Sequence, residues 1–207
     1  TLLHLQAGDE EVALISILTC YILTAEEIGQ GGKMKKFYRT FETDWGWCAV
    51  VGTHKGVCAF LLPVSSPEEA ESNLLRLISG ENRKVWRGFD DVVDSVRRYF
   101  RGEKIDFNLP LDMSLGTPFM RRVWEATRLI PYGETRSYAW VARMAGSPRA
   151  FRAVGMALAR NPLPLLVPCH RVIGSDGSLR GFTAPGGVKL KMKLLEHEGI
   201  RRPKLTV

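Results

Sequence analysis

Between Lys36 and Pro63 the apolar residues come in short runs: Phe37-Tyr38-Arg39-Thr40-Phe41, then Trp47-Cys48-Ala49-Val50-Val51, then Val57-Cys58-Ala59-Phe60-Leu61-Leu62. Runs of this length, rich in aromatic and β-branched residues and broken by Thr53-His54-Lys55-Gly56, predict the strands of a small antiparallel sheet. The period then lengthens. Ser66-Pro67-Glu68-Glu69 has the form of a capping box with proline at the first helical position, so a helix is expected to open there and end near Gly80. Val92, Val93, Val96, Tyr99 and Phe100 recur at helical spacing and predict a second helix from Asp90 to Arg101, stopped by Gly102. The stretch from Asn108-Leu109-Pro110 to Gly116 reads as a linker.

Beyond it the punctuation is denser. Thr117-Pro118 predicts a helix through Ile130, Pro131-Tyr132-Gly133 a turn, and Ser137 the start of a short helix ending at Ala145-Gly146. Ser147-Pro148 is expected to open the next helix at once, which then runs to Asn161-Pro162. Two short helices around a glycine-containing corner have the layout of a helix-turn-helix, although corners of this kind occur in any compact helical domain. On the second helix Ala150, Ala153, Gly155, Ala157 and Ala159 are small, while Arg149, Arg152 and Arg160 are basic. Close packing on another helix accounts for the small residues; a helix lying deep in a DNA groove accounts for both sets. The fold class expected is α+β: a small N-terminal antiparallel-sheet α/β domain over residues 34–110, then a mostly helical domain over 111–207, with residues 1–33 as an extension.

Charge sharpens this division. The chain has 207 residues, 45% of them hydrophobic, enough for a real core, and a formal net charge of +7. Residues 1–33 carry one Lys/Arg against five Asp/Glu, residues 34–110 twelve against eleven, and residues 111–207 sixteen against six. Most cations of the last segment are arginine, which suits phosphate contact, so the expected partner of that segment is a polyanion, most simply nucleic acid. The four cysteines, Cys20, Cys48, Cys58 and Cys169, lack C-x-x-C spacing, so neither a disulfide framework nor a structural zinc site is suggested, and no metal or cofactor is expected. The apolar run Glu11–Leu23 is short for a membrane span and follows acidic residues rather than the basic ones of a signal peptide. An intracellular protein without membrane attachment is expected, cytoplasmic in a prokaryote or nuclear in a eukaryote.

The candidate chemistry lies in Leu165-Leu166-Val167-Pro168-Cys169-His170-Arg171-Val172. Buried cysteine is usually inert packing, which is the expectation for Cys48 and Cys58. Cys169 differs because a histidine and an arginine follow it, and neighbouring cations favour the nucleophilic thiolate. Adjacent side chains tend to point apart, so His170 is expected to reach the thiol through a water, with a carboxylate elsewhere orienting its ring.

Together with Asn161-Pro162-Leu163-Pro164, Ser137-Tyr138, Arg152-Ala153-Val154-Gly155 and Leu194-Leu195-Glu196-His197-Glu198-Gly199, this motif resembles the signature of the O6-alkylguanine-DNA alkyltransferases, the methylated-DNA-protein-cysteine methyltransferases. The likeness is strong from Phe119 to Gly199 and extends weakly back to Met34. It implies a DNA repair protein that flips O6-alkylguanine out of the duplex and moves the alkyl group irreversibly onto its own cysteine in a single turnover. Cys169 would be the acceptor, His170 its water-bridged base, Glu198 the group that holds the histidine tautomer, and Asn161 a brace of the active-site turn. Tyr138 would press on a phosphate and donate a proton to the departing guanine. Arg152 would fill the gap left in the base stack, while Ala153, Gly155, Arg149, Arg160, Phe182 and Thr183 would border the DNA. The resemblance further implies minor-groove binding to double-stranded DNA by a monomer. Phe182 stands where relatives often have tyrosine, and the loop 180–187 is slightly longer than in many of them.

Other readings compete with repair. A lesion-binding alkyltransferase-like protein would lack the cysteine, a thiol hydrolase built on Cys169, His170 and Glu198 would turn over repeatedly, and a transcription regulator would leave Cys169 without a role. Residues 1–33 are expected not to belong to the functional protein, with translation starting at Met34, because the resemblance begins there and Gln30-Gly31-Gly32-Lys33 can be encoded by a purine-rich tract like a ribosome-binding site. Against this, the leucines and isoleucines of Glu11–Leu23 would suit a helix packed on the sheet.

Overall fold

The computed structural model describes residues 36–78, 82–85, 89–200 and 204–205. The expectations for residues 1–33 lie outside these. Strands β1 (Lys36–Thr43), β2 (Gly46–Thr53) and β3 (Gly56–Val64) form an antiparallel meander, and the short β4 (Asn82–Lys84) adds to β1 in parallel, giving the order β3-β2-β1-β4. Pairing opposes Thr40 to Ala49 and Val50 to Phe60, and the β2–β3 register slips near Trp47 and near Val51. Alternation of side chains splits the sheet between two cores. Tyr38, Ala49, Val51, Ala59 and Leu61 face helix α1 (Pro67–Leu77) through Ala70 and Leu74. Phe41, Cys48, Val50, Phe60 and Leu62 point the other way, into a core that includes helix α2 (Asp90–Phe100) and continues into the C-terminal helices.

Local chemistry sets the boundaries of these helices. Ser66 Oγ accepts the Glu69 amide at 3.1 Å and Glu69 reaches back to the Ser65 amide at 3.0 Å, so α1 starts where the capping box places it. Helix α2 buries Val92, Val93, Val96, Tyr99 and Phe100, the five apolar residues of its periodic face. The expected linker at 108–116 is instead pinned to the sheet: the Val57 amide donates to Pro110 O (3.0 Å) and the Asp112 amide to Val57 O (2.7 Å), so an edge that would otherwise expose unpaired backbone groups is covered.

The second half is mostly helical, with α3 (Pro118–Arg128), α4 (Tyr138–Met144), α5 (Phe151–Ala159) and α6 (Gly187–His197). Between α5 and α6 lie a 3-10 turn (Cys169–Arg171), β6 (Val172–Ile173), paired in parallel with β5 (Arg136–Ser137), and β7 (Ser178–Leu179), paired with β8 (Lys204–Leu205). Thr117 caps α3 and Ser137 caps α4. One expected boundary is corrected. Ser147-Pro148 does not open α5, which begins only at Phe151 after a turn, so Arg149 and Ala150 precede the helix, and Arg160 is its C-cap. Helices α4 and α5 pack on each other and on α3, where the buried Trp124 indole donates to Ala157 O at 2.9 Å. Among the described residues no helix is long and apolar enough to cross a membrane.

Gly56 opens β3 at φ +138°, and a Cβ there would run into the Pro110 carbonyl. Gly56→Ala is therefore expected to lower stability by about 1–3 kcal/mol, read from the urea midpoint, because it combines a conformation that L side chains rarely adopt with a clash against the segment 108–116 that straps this edge of the sheet. An unchanged midpoint would show that the strap yields freely.

Candidate active site and nucleic-acid interface

The chain leaves α5 through Asn161, whose side chain ties the following turn in both directions. Its Nδ2 donates to Val167 O (2.9 Å) and its Oδ1 accepts the Leu163 amide (3.0 Å). Within this turn Leu165 takes φ +75° while fully buried, a strained conformation held by the packing around it. The sheet domain holds the same turn from outside, since the Phe60 amide on β3 donates to Pro162 O at 2.9 Å. The turn delivers Cys169 and His170 to the first positions of the 3-10 turn, both buried.

His170 Nε2 lies 2.7 Å from Glu198 Oε1. A carboxylate only accepts, so Nε2 carries the proton and Nδ1 is left as an acceptor. Nδ1 is buried and has no hydrogen-bond partner among the described residues, the position from which a water could connect the ring to the neighbouring thiol. Burial, outweighing the favourable contact with Glu198, lowers the His170 pKa below its ordinary value.

Glu198, at the C-terminal end of α6, gathers donors from three other parts of the chain. Besides His170 it accepts Arg171 Nε (2.8 Å) and Arg171 Nη2 (2.9 Å), the Tyr99 hydroxyl from α2 (2.9 Å) and the Gly133 amide (3.1 Å). Burial alone would raise its pKa, but the bonds from His170 and Arg171 prevail and hold it down at about 2. Arg171 thus serves the carboxylate and donates to Ile130 O at 2.7 Å; its charge is spent on Glu198.

This changes the expected state of Cys169. Burial raises its thiol pKa, and the opposing contributions come from Asn161, from Lys191 and from the backbone amides of Cys169 and His170. Cys169 therefore rests as a thiol at neutral pH. Lys191, which the sequence reading passed over, is buried on α6 and donates to Val172 O (2.6 Å) and Arg180 O (3.2 Å); burial lowers its pKa to about 8, with the nearby Cys169 acting the other way. Its ammonium also sits 5.8 Å from the centre of the Tyr138 ring.

A cavity of about 770 Å³ opens onto these groups. Tyr138 and Ala139 of α4, Phe151, Arg152, Gly155, Leu158 and Ala159 of α5, and Phe182 and Thr183 of the loop after β7 line it, with Cys169 in its wall. Burial first, and the neighbouring Cys169 second, raise the Tyr138 pKa to about 12, so its hydroxyl keeps its proton at neutral pH. Thr183 Oγ1 donates to Ala159 O at 3.0 Å, fastening the loop to the end of α5. Of the expected interface residues, Arg149, Arg152 and Arg160 are exposed, Ala153 and Gly155 are partly covered, and Gly155 leaves room beside the Tyr138 ring.

A helix-turn-helix domain that borders a cleft, with a thiol in the cleft wall and a small antiparallel sheet behind it, defines the class: a DNA-binding protein with a cysteine at its working surface. Residues 36–113 match the family description "6-O-methylguanine DNA methyltransferase, ribonuclease-like domain" and residues 118–200 match "6-O-methylguanine DNA methyltransferase, DNA binding domain". The chain is 38% identical over 164 residues to the constitutive methylated-DNA--protein-cysteine methyltransferase of Bacillus subtilis, covering 79% of this chain and 96% of that protein. It is 50% identical over 115 residues to the Mycobacterium tuberculosis protein of the same name, covering 56% of this chain and 68% of that one. The structure of Mycobacterium tuberculosis OGT in complex with DNA superimposes with a TM-score of 0.65 at 37% identity, over 81% of this chain and 95% of that one. The chain belongs to the 6-O-methylguanine DNA methyltransferase family.

The depressed pKa of Glu198 predicts an acid limb in stability. Its contribution is complete above the ordinary carboxylate value of 4.5 and is lost as pH falls towards about 2. The shift corresponds to about 3 kcal/mol. Urea unfolding followed from neutral pH downwards should show this loss in the parent chain and a flatter acid limb in Glu198→Gln. That variant should also be weaker by about 3 kcal/mol or more at neutral pH, because Arg171 is left buried with half its partner. Parallel profiles would mean that other carboxylates set the acid limb.

Proposed function

We propose that the chain repairs DNA by transferring the alkyl group of O6-alkylguanine to Cys169 Sγ, once per molecule. The observation that carries this reading is the cavity: it is large enough for a nucleobase, it is reached past the exposed face of a helix-turn-helix, and Cys169 stands in its wall. An alkyl carbon on O6 is hidden in the base stack, so a buried thiol meets it only after the nucleotide has swung out of the duplex.

The chemistry follows from the environment. With its pKa raised by burial, Cys169 gives up its proton as it reacts, through a water to His170 Nδ1, while Glu198 steadies the imidazolium. The Sγ–carbon bond forms as the carbon–O6 bond breaks, and the electron pair stays on the guanine. Tyr138, still protonated, donates to the departing base, and the proton held on His170 returns to Tyr138 through solvent, so the thiol proton ends on guanine. The product is a thioether, and because a thiolate is a poor leaving group from an alkyl carbon the transfer is not reversed. Lys191 balances the negative charge while it lies on sulfur.

The exposed arginines of the helix-turn-helix would hold the phosphates of double-stranded DNA from the minor-groove side, with one monomer per lesion and Arg152 in the gap left by the flipped nucleotide. Incubation with a duplex carrying one O6-methylguanine, followed by intact-protein mass measurement, should show one added methylene mapping to Cys169. Cys169→Ser should abolish transfer and keep DNA affinity within about twofold, since affinity comes from phosphate contacts. Repeated turnover on an ester would favour a thiol hydrolase instead.

The placement of Arg152 yields a second expectation. Arg152→Ala should slow methyl transfer about tenfold or more in duplex DNA and little in a single strand, which has no stack to hold open. Equal losses on the two substrates would refute the gap-filling role.

A further inference from the structure

Phe151, Gly155, Leu158 and Ala159 recur at the i, i+4, i+7 and i+8 positions of α5 and so share one face of the helix. All four line the cavity that contains Cys169. Gly155 and Ala159 offer almost no side chain and Leu158 is buried, which leaves Phe151 as the one large group on that face that meets solvent, 49% exposed. It occupies the first helical position of α5, directly after the turn of the helix-turn-helix and beside Arg152. A benzene ring half in water is a cost to the free protein, and here it stands at the entrance of a cavity rather than on an isolated stretch of surface.

We infer that Phe151 is a nucleobase-contact residue: its ring packs against the flipped-out nucleotide as the base enters the cavity. The inference rests on the repair reading and adds to it a division of labour between adjacent residues. Arg152, on the edge of the face, is the group that serves the vacated stack. Phe151, on the cavity side, serves the nucleotide that has left it. Aromatic faces accept any base and gain their contact without reading sequence, as a protein that must take lesions from any context requires. The two residues are separable by substrate, because a contact with the extruded nucleotide exists in single strands and duplexes alike, whereas a gap exists only in a duplex.

The test compares Phe151→Ala, Phe151→Leu and Phe151→Tyr, alongside Arg152→Ala. Two fluorescein-labelled probes are used, a single strand and a duplex, each with one O6-methylguanine. Anisotropy reads binding in a Cys169→Ser background, and quenched-flow mass measurement reads transfer in the otherwise unaltered chain. Thermal unfolding of each variant checks that the fold is intact, which the exposure of the ring leads one to expect. Losing one base–aromatic contact corresponds to a fall in affinity of about tenfold. Phe151→Ala should show that fall on both probes, Phe151→Tyr should restore it, and Phe151→Leu should recover only part. Arg152→Ala should lose on the duplex alone. Undiminished single-strand affinity in Phe151→Ala, or full recovery by Phe151→Leu, overturns the aromatic contact while transfer by the parent chain remains intact. Absence of methyl transfer to Cys169 in the parent chain overturns the repair reading itself.

Discussion

The buried carboxylate of Glu198 is the group on which the rest of this molecule depends. It accepts five hydrogen bonds, from His170, twice from Arg171, from Tyr99 and from the Gly133 amide, so its lone pairs are fully used. A charge so deeply buried persists only with that many donors, and each donor is in turn fixed by it. The 3-10 turn with the cysteine, the turn after α3, the last residues of α6 and helix α2 of the sheet domain are thereby joined at one point. Tyr99 ties α2 in twice over: its hydroxyl meets Glu198 and its carbonyl lies 2.6 Å from His197 Nε2. The two halves of the chain therefore share a core and a polar centre.

This arrangement keeps the Cys169 thiol protonated at rest. Arg171 stands two residues from Cys169, yet its guanidinium is turned to Glu198 and Ile130 O, so it does little to ionise the sulfur. Burial then wins over Lys191 and the Asn161 contact, and Cys169 rests protonated. Such restraint suits the single-use role proposed for Cys169, since a permanently exposed thiolate would be open to oxidants and stray electrophiles. In the proposed transfer, the proton leaves for a histidine whose free nitrogen is presented by the tautomer that Glu198 imposes.

Much of the fold was legible because its signals are local. Alternating runs separated by Thr53-His54-Lys55-Gly56 gave the strands, and Ser66, Thr117 and Ser137 mark true helix caps. Ser147-Pro148 misled because the same residue pair that opens a helix also makes a plain turn, and what decides is whether Arg149 and Ala150 continue into helical geometry. That Cys169, His170, Asn161 and Glu198 fall in one neighbourhood was legible through their motifs. The roles of Arg171, Tyr99 and Lys191 were not, because they depend on direction. Tyr99 falls on the apolar period of α2 like any core residue, and nothing in the period shows where its hydroxyl points. Lys189, Lys191 and Lys193 alternate in sequence with equal charge, and only the packing of α6 buries the middle one. The Asn108–Gly116 stretch has a linker's composition, and its pairing to β3 depends on an edge that composition does not reveal.

The remaining question is why a protein whose candidate site lies in its second half carries a sheet at all. The active-site turn supplies the answer, for its geometry is not one that residues 161–168 would adopt alone. Leu165 is held at φ +75°, a conformation worth on the order of 1–3 kcal/mol for a residue other than glycine. Its side chain and those of Leu163, Leu166 and Val167 are buried in the core shared with Phe60 and Leu62 of β3. The Phe60 amide adds a backbone bond to Pro162 O, so the free edge of the sheet ends on the turn that carries Cys169 instead of in solvent. The strand is thus an external splint. It supplies the burial and the donor that keep a strained loop in one conformation, and through that loop it sets where the sulfur stands in the wall of the cavity.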